Sequence, residues 1–381
     1  MKRTPILFLG DSPSLHTGLG RIGRDLATFL SRSPLFRVGF LGRGGISAKA
    51  LPFPQYCFDE VRQWGEGYLE GVWQDFAGTE QGIVFTIWDP SRLFWFGRPG
   101  GLPEGSLREF LLRPPFRKVG YFAIDSTGPG GRQTAIIRET LKGFDKTLAY
   151  GMFGSNEISN AIGRECDWMP HGLNFEKFQP RDKTAARIAM GLHKSDLVVG
   201  CVMANQARKD WGLFFTTAAL LAQKHRNLKI WCHTDVIERQ WNLAALADDF
   251  GLRPIMTFDK SDEELSYAYS ACDITLLPSL GEGYGYPIVE SLACGTPVIH
   301  GNYGGGVELC PSQRMLVDPQ GFRLDTIYNS LRPVFDPARW VEAAEEILAE
   351  GWTAQELRRT VEHLSWKALW PTWQKWFETL N

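Results

Sequence analysis

Two glutamates, Glu282 and Glu290, stand eight positions apart in the stretch Pro278-Ser279-Leu280-Gly281-Glu282-Gly283-Tyr284-Gly285-Tyr286-Pro287-Ile288-Val289-Glu290. The pattern puts Glu282 on a loop at the carboxyl end of a strand and Glu290 inside a helix that starts around Gly285. Both can then face one crevice at the edge of a sheet. Gly283 and Gly285, on either side of Tyr284, free the backbone to approach a ligand, and amides at a helix start suit phosphate. A carboxylate deeper in the helix can accept hydrogen bonds from ribose hydroxyls. The loop carboxylate can meet sugar hydroxyls or a developing positive charge. The plain alternative is that Glu282 caps the helix and Glu290 pairs with a surface cation.

These residues need a scaffold, and the second half of the chain supplies a βα series. Strands are predicted at residues 197–203, 228–232, 255–258, 273–277 and 297–300, with helices at 212–224, 238–250, 262–271 and 285–294 between them. The first half alternates in the same way. Residues 5–10 form an apolar run, Thr17-Gly18-Leu19-Gly20 leads into a helical pattern over 21–30, and a second run covers 36–41. Further buried strands are expected at 82–88, 118–124 and 146–150, making a mainly parallel sheet. The architecture is therefore α/β, with two Rossmann-like α/β/α domains facing each other across a cleft.

The division expected is an N-terminal domain at 1–170, a second domain at 171–355 and a helical tail at 356–381. Residues 167–180 look like the linker. Trp366, Trp370, Trp373 and Trp376 form a helical stripe interrupted by Pro371, which is read as packing at the domain junction.

The bulk properties exclude several classes. At 381 residues the chain is large for a single core. Net charge is −2, so no strong field draws it onto nucleic acid or an anionic membrane. The charge is uneven, with 20 Lys+Arg against 17 Asp+Glu in residues 1–170 and 21 against 26 beyond. The most basic span, Arg92 to Lys142, reads as a solvated surface or as a face for an anionic acceptor. Seven cysteines without CxxC or zinc-type spacing suggest buried thiols in a reducing compartment. No segment reaches the ~18 apolar residues of a membrane span, nor does the N-terminus read as a signal peptide. A cytoplasmic protein follows, with peripheral membrane contact still open and no metal site.

The stretch from Pro278 to Ile299, which continues through Cys294-Gly295-Thr296-Pro297, resembles the E-x7-E signature of glycosyltransferase family 4 and its GT-B relatives. That resemblance implies a retaining enzyme that moves a hexosyl group from a UDP- or GDP-sugar to an acceptor hydroxyl, with the domain at 1–170 binding the acceptor and the domain at 171–355 the nucleotide sugar. It implies that Arg208 and Lys209, in Asn205-Gln206-Ala207-Arg208-Lys209, hold the donor diphosphate, although here the two cations are adjacent rather than several residues apart. Fixed cations stabilise a departing diphosphate without a metal or a resident cofactor; the alternative is surface charge at a helix start.

Gly18 and Gly20 resemble the family's N-terminal glycine loop, which approaches the transferred sugar and the donor phosphate. A tight βα turn would use the same residues. Gly23 follows only three positions after Gly20 and no acid ends the second strand, which weakens an NAD reading. Asp125, at the end of the 118–124 strand, takes the place of a His-Asp pair facing the acceptor in relatives, with Ile124 where the histidine would stand. Asp89, Asp11 and His16 are further candidates. His171, in Pro170-His171-Gly172, matches an interdomain turn and is read as structural.

The candidate catalytic groups are thus Glu282, Asp125, Lys209 and Arg208, and the donor-binding set is Gly18, Gly20, Arg208, Lys209, Glu282, Gly283, Tyr284, Gly285 and Glu290. The reaction implied is a front-face displacement in which the leaving phosphate takes the acceptor's proton. Compatible acceptors are a glycan, a lipid-linked sugar, a small molecule or a modified DNA base. The competing readings are a GT-B module that binds nucleotide sugar without turnover, and another GT-B enzyme such as a nucleotide-sugar epimerase.

Overall fold

Apolar runs of the kind seen in residues 5–10 and 197–203 can be satisfied only when covered on both faces, and the chain builds two such sheets. The computed structural model describes residues 3–45, 50–59, 63–326 and 328–380, so Met1, Lys2 and Asn381 lie outside them. The chain divides into a first unit, Met1–His171 with Ile327–Ser330 and Leu369–Asn381, and a second, Gly172–Thr326 with Leu331–Ala368.

In the first unit the strands are β1 (Thr4–Asp11), β2 (Phe36–Arg43), β3 (Gln55–Phe58), β4 (Gly82–Trp88), β5 (Phe116–Phe122), β6 (Lys146–Ala149) and β7 (Asp167–Trp168). They form one sheet in the order β3-β2-β1-β4-β5-β6-β7, every pair parallel. Ile6 to Leu9 are fully buried on both faces of β1, the continuous apolar signature of a covered parallel strand. Helix Gly18–Leu30 lays Ile22, Leu26 and Leu30 on the sheet.

The second unit carries β8 (Leu197–Val202), β9 (Leu228–His233), β10 (Ile255–Thr257), β11 (Ile274–Leu277), β12 (Val298–Gly301) and β13 (Leu316–Val317), in the order β10-β9-β8-β11-β12-β13, again all parallel. A hairpin of β14 (Gly321–Leu324) and β15 (Leu331–Val334) is antiparallel. In both sheets the order reverses beside the first strand, between β1 and β4 and between β8 and β11. Open α/β sheets bind ligands at the carboxyl ends of strands flanking such a reversal.

Several elements differ from the sequence reading. β5 ends at Phe122, so Asp125 lies three residues beyond the strand instead of closing it. The helix expected at 238–250 runs only over Leu243–Asp249, because the backbone N–H of Trp241 donates to the Asn205 side chain and Asn242 caps the helix through Ala245 N. Residues 167–168, assigned to a linker, pair as edge strand β7. Strand β3 and the β14–β15 hairpin had no recognised signal.

The tail is one helix, Trp366–Glu378, that continues through Pro371. Proline forfeits one backbone hydrogen bond, and packing offsets the loss. Phe377 meets Phe8, Phe36 and Phe85 with ring centroids 6.5, 6.3 and 5.3 Å away. Trp376 Nε1 donates to Asp167, and Trp373 Nε1 to the Pro170 carbonyl.

Candidate active site

The loop after β8 is held open by one buried amide. Asn205, fully buried, donates through Nδ2 to the carbonyls of Val236 and Trp241 and accepts from Trp241 N, while its own N–H donates to Asp235. This fixes the start of a single 3-10 turn, Ala207–Lys209. Asp210 ends the turn in the left-handed region (φ 43°) and caps the helix Trp211–Lys224 through Leu213 N. Arg208 and Lys209 therefore project from a short, anchored turn at the carboxyl end of β8.

The loop after β11 docks on that turn. Leu280 N donates to the Arg208 carbonyl at 2.7 Å, and Arg208 Nη1 donates to the Gly281 carbonyl at 2.6 Å. Lys209 Nζ is hydrogen-bonded to Glu282 Oε1, and Arg208 Nη1 lies 3.6 Å from Glu282 Oε2. Lys209 is 7% and Glu282 6% exposed. Burial pushes the Glu282 carboxyl up, but the charges of Lys209 and Arg208 outweigh it and hold its pKa at about 2. Two cations on one carboxylate leave this trio with net positive charge at a low-dielectric sheet edge, which favours an anion.

Behind Glu282 stands His300 on β12, fully buried. Its Nδ1 meets the Leu277 carbonyl at 3.0 Å, and its Nε2 has no hydrogen-bond partner among the described residues. Burial lowers its pKa. The histidine is thereby kept neutral beside the ion pair.

Helix Tyr286–Ala293 begins at Gly285, whose φ of +107° is strained for any side chain. Among the described residues no side chain caps this start, and Pro287 contributes no N–H. Glu290, one helical turn further in, is 3% exposed and accepts from the Tyr269 hydroxyl at 2.8 Å. Tyr284 is buried, with its ring edge-on to Tyr286 at 5.5 Å. Gly283 belongs to the same loop, which Gly305 N fastens by donating to the Glu282 carbonyl at 2.8 Å.

The remaining candidates lie in the first unit. Gly18 opens helix Gly18–Leu30, and Gly20 N donates to the capping Thr17 hydroxyl at 2.9 Å. A Cβ on Gly20 would stand 2.8 Å from the carbonyls of Ser12 and Leu15, so the tight turn alone requires glycine there. Asp125 accepts from Ser126 Oγ at 2.9 Å. His16 is exposed on the turn before the helix. His171 is buried against the rings of Tyr121 and Tyr150.

The second unit thus brings together Arg208, Lys209 and Glu282 in one cluster, with Gly283, Tyr284, Gly285 and Glu290 on the same loop and helix. Sequence reasoning passed over Tyr269 and His300. Neither sits in a motif, and only β-strand pairing and helix packing bring them to the glutamates.

Residues 196–349 match the family described as glycosyl transferases group 1. They form a glycosyl transferases group 1 domain. This group 1 domain contains every residue of the Arg208–Lys209–Glu282 cluster and Glu290.

The chain is 30% identical over 208 residues to a D-inositol 3-phosphate glycosyltransferase of Mycobacterium sp. (strain KMS), covering 54% of this chain and 44% of that protein. A D-inositol 3-phosphate glycosyltransferase of Rhodococcus opacus is 28% identical over 298 residues, 73% of this chain and 66% of the relative. The match thus spans about half to two thirds of those relatives' own length.

Among solved structures, sucrose-phosphate synthase from Thermosynechococcus elongatus superposes with a TM-score of 0.74 at 17% identity, covering 99% of both chains. Anabaena HepE, solved in complex with UDP and glucose, gives 0.73 at 17% identity over 99% of this chain and 100% of that one. The fold class read from the sequence, two parallel-sheet α/β domains of GT-B type, is the one observed. Among the described residues no group of three or more His, Cys, Asp or Glu is placed to hold a metal, and no helix is long and apolar enough to cross a membrane.

Proposed function

We propose that the chain is a retaining glycosyltransferase that moves a hexosyl group from a UDP- or GDP-sugar to an acceptor hydroxyl, with the donor held by the second unit and the acceptor by the first. The observation that carries this reading is the Arg208–Lys209–Glu282 cluster, with Lys209 and Glu282 buried and Arg208 half-buried, at the strand reversal between β8 and β11. A nucleoside diphosphate gains negative charge as it departs, and Lys209 and Arg208 are cations already fixed in place to stabilise it. The same charges keep Glu282 ionised, fit to accept from sugar hydroxyls or to face an oxocarbenium-like carbon. Glu290, held by Tyr269, is positioned to accept from the ribose hydroxyls. The uncapped start of helix Tyr286–Ala293 and the Gly283–Gly285 backbone complete the phosphate side.

In this reading the acceptor hydroxyl attacks from the face the diphosphate leaves, and the leaving phosphate oxygen takes its proton. The protein contributes position and charge. No metal or bound cofactor is needed, so activity survives EDTA. The UDP in HepE supports UDP over GDP for the nucleotide, and the free, mostly buried cysteines support a reducing, cytoplasmic setting.

A thermal-shift panel of UDP- and GDP-sugars tests the donor. Mass action gives about 2.7 kcal/mol of stabilisation at a hundredfold excess over Kd. No shift with any of them would remove the proposal. The anomeric configuration of the product, read by NMR, tests retention.

A further inference from the structure

At the carboxyl edge of the second sheet β9 ends in His233 and β10 in Thr257, and these residues are direct partners in the parallel register. Their side chains belong to a short relay. Trp231 Nε1, which can only donate, bonds the Thr257 hydroxyl at 2.9 Å, and His233 Nδ1 meets the same oxygen at 3.0 Å. The hydroxyl's own proton has two acceptors within reach, Nδ1 and the Cys232 carbonyl, and the carbonyl is the further one at 3.4 Å. The nearer takes it. Nδ1 is then the acceptor of the ring, and the ring proton sits on Nε2.

The imidazole is also held neutral. Burial pulls its pKa down to about 4, although the charges of Asp259, Asp235 and Glu264 raise it; Lys260 acts with the burial. Asp235 is paired with Arg239 at 2.6 Å and Glu264 with Lys260 at 2.7 Å. His233 is only half-buried, so the sheet edge presents a neutral ring with one fixed N–H. To accept at Nε2 instead, the ring would have to move its proton to Nδ1, and Thr257 would have to turn its own toward the longer contact.

Trp231 and His233 lie on one face of β9, with ring centroids 6.4 Å apart. On that face Trp231 meets Tyr269 edge-on at 5.5 Å, and the Tyr269 hydroxyl is the donor to Glu290. A nucleotide with its phosphates at the Arg208–Lys209 turn and its ribose at Glu290 has its base beyond the ribose. The chain of contacts from Glu290 through Tyr269 and Trp231 to His233 leads to that side.

We infer that His233 reads the base of the donor: its Nε2–H selects a nucleoside diphosphate whose base presents a carbonyl, as uracil and guanine do, and rejects one that presents an exocyclic amino group there, as cytosine and adenine do. Against a carbonyl the N–H is satisfied. Against an amino group two donors face each other, and both give up water for nothing. Thr257 and Trp231 are positioning residues that act through the tautomer. The inference rests on the glycosyl-transfer reading for the placing of the nucleotide.

Calorimetric titration with UDP, CDP, inosine diphosphate and ADP tests it, because UDP and CDP, like inosine diphosphate and ADP, differ only where a carbonyl edge becomes an amino edge. The wild type is expected to prefer the carbonyl member of each pair by about tenfold or more. His233→Gln, whose amide can turn either its oxygen or its nitrogen outward, should bring both ratios close to one. Thr257→Val, which removes the relay without touching the nucleotide, should lower the ratios in the same direction, and Thr257→Ser should restore them. A general loosening of the fold would weaken both members of a pair and leave their ratio alone. A wild type that binds the members of each pair alike, or ratios that persist in His233→Gln, would overturn the inference and leave the donor reading standing. A wild type that binds none of the four would remove both.

Discussion

Lys209 and Glu282, 73 positions apart in sequence, meet as a buried ion pair whose side chains are 9% and 8% exposed. Their loops leave neighbouring strands on either side of the reversal in the second sheet, so the pair closes the gap between β8 and β11. Desolvation of both charges is offset by their mutual attraction and by Arg208, an arrangement that tolerates removal of neither partner alone.

Glu282→Gln and Lys209→Met should therefore each destabilise the second unit by about 3 kcal/mol, because each strands a buried group. A double variant Lys209→Met/Glu282→Leu should recover much of that loss while remaining inactive. Urea unfolding followed with a transfer assay checks this. Additive losses in the double variant would show that the two side chains do not act as a pair.

Acid should reveal the same pair. The Glu282 pKa is depressed to about 2 in the fold, against about 4.3 in an unfolded chain. A carboxyl depressed by folding contributes stability that is complete above the unfolded value and is lost as the pH falls through the folded one. The stability difference between wild type and Glu282→Gln should thus be constant above about pH 5 and shrink between there and pH 2. Unfolding curves at stepped pH measure it, and a difference independent of pH would contradict the depressed value.

Tyr269→Phe should act on nucleotide affinity without touching any ligand itself. It removes the 2.8 Å hydrogen bond to Glu290, a contact to a carboxylate worth about 1.5–3 kcal/mol. We expect weaker UDP binding by calorimetry, with Glu290→Gln equally affected and the double variant no worse than either single one. Unchanged UDP affinity in Tyr269→Phe would separate Glu290 from the nucleotide.

Phe377→Ala should cost about 3–5 kcal/mol in the first unit, since the ring is fully buried among Phe8, Phe36 and Phe85. Denaturant unfolding followed by near-ultraviolet circular dichroism reports it. A loss below 1 kcal/mol would mean that the tail rests on the sheet without being part of its core.

How much of this was legible follows from where the information sits. Strand β4 and helix Asp262–Ala271 match their expected bounds because their signals are local: a run of β-branched and aromatic residues in one, and in the other Ser261 with Glu264 three residues later as a reciprocal cap. The residues after β8 and β11 could be named from the glycine-rich and basic stretches, yet their meeting depends on strand order, which no local pattern encodes. Helix Leu243–Asp249 was overextended because the Asn205 contact that takes the backbone of Trp241 comes from a loop 36 positions away. Tyr150 and His300 gave no signal at all. A tyrosine after a strand and a histidine in one are ordinary residues, and only burial without a partner among the described residues sets their polar atoms apart.

Phe8, Phe36 and Phe85 precede the second unit in the chain, and Phe377 belongs to helix Trp366–Glu378, which follows it. During synthesis the first sheet can pair its strands long before that helix leaves the ribosome, while the whole second unit is still being made. Its aromatic face stays open to water, chaperones or other nascent chains throughout that interval. The first unit is thus completed by a segment made after the second unit, and a product that stalls before it would expose a sticky surface that the folded unit conceals.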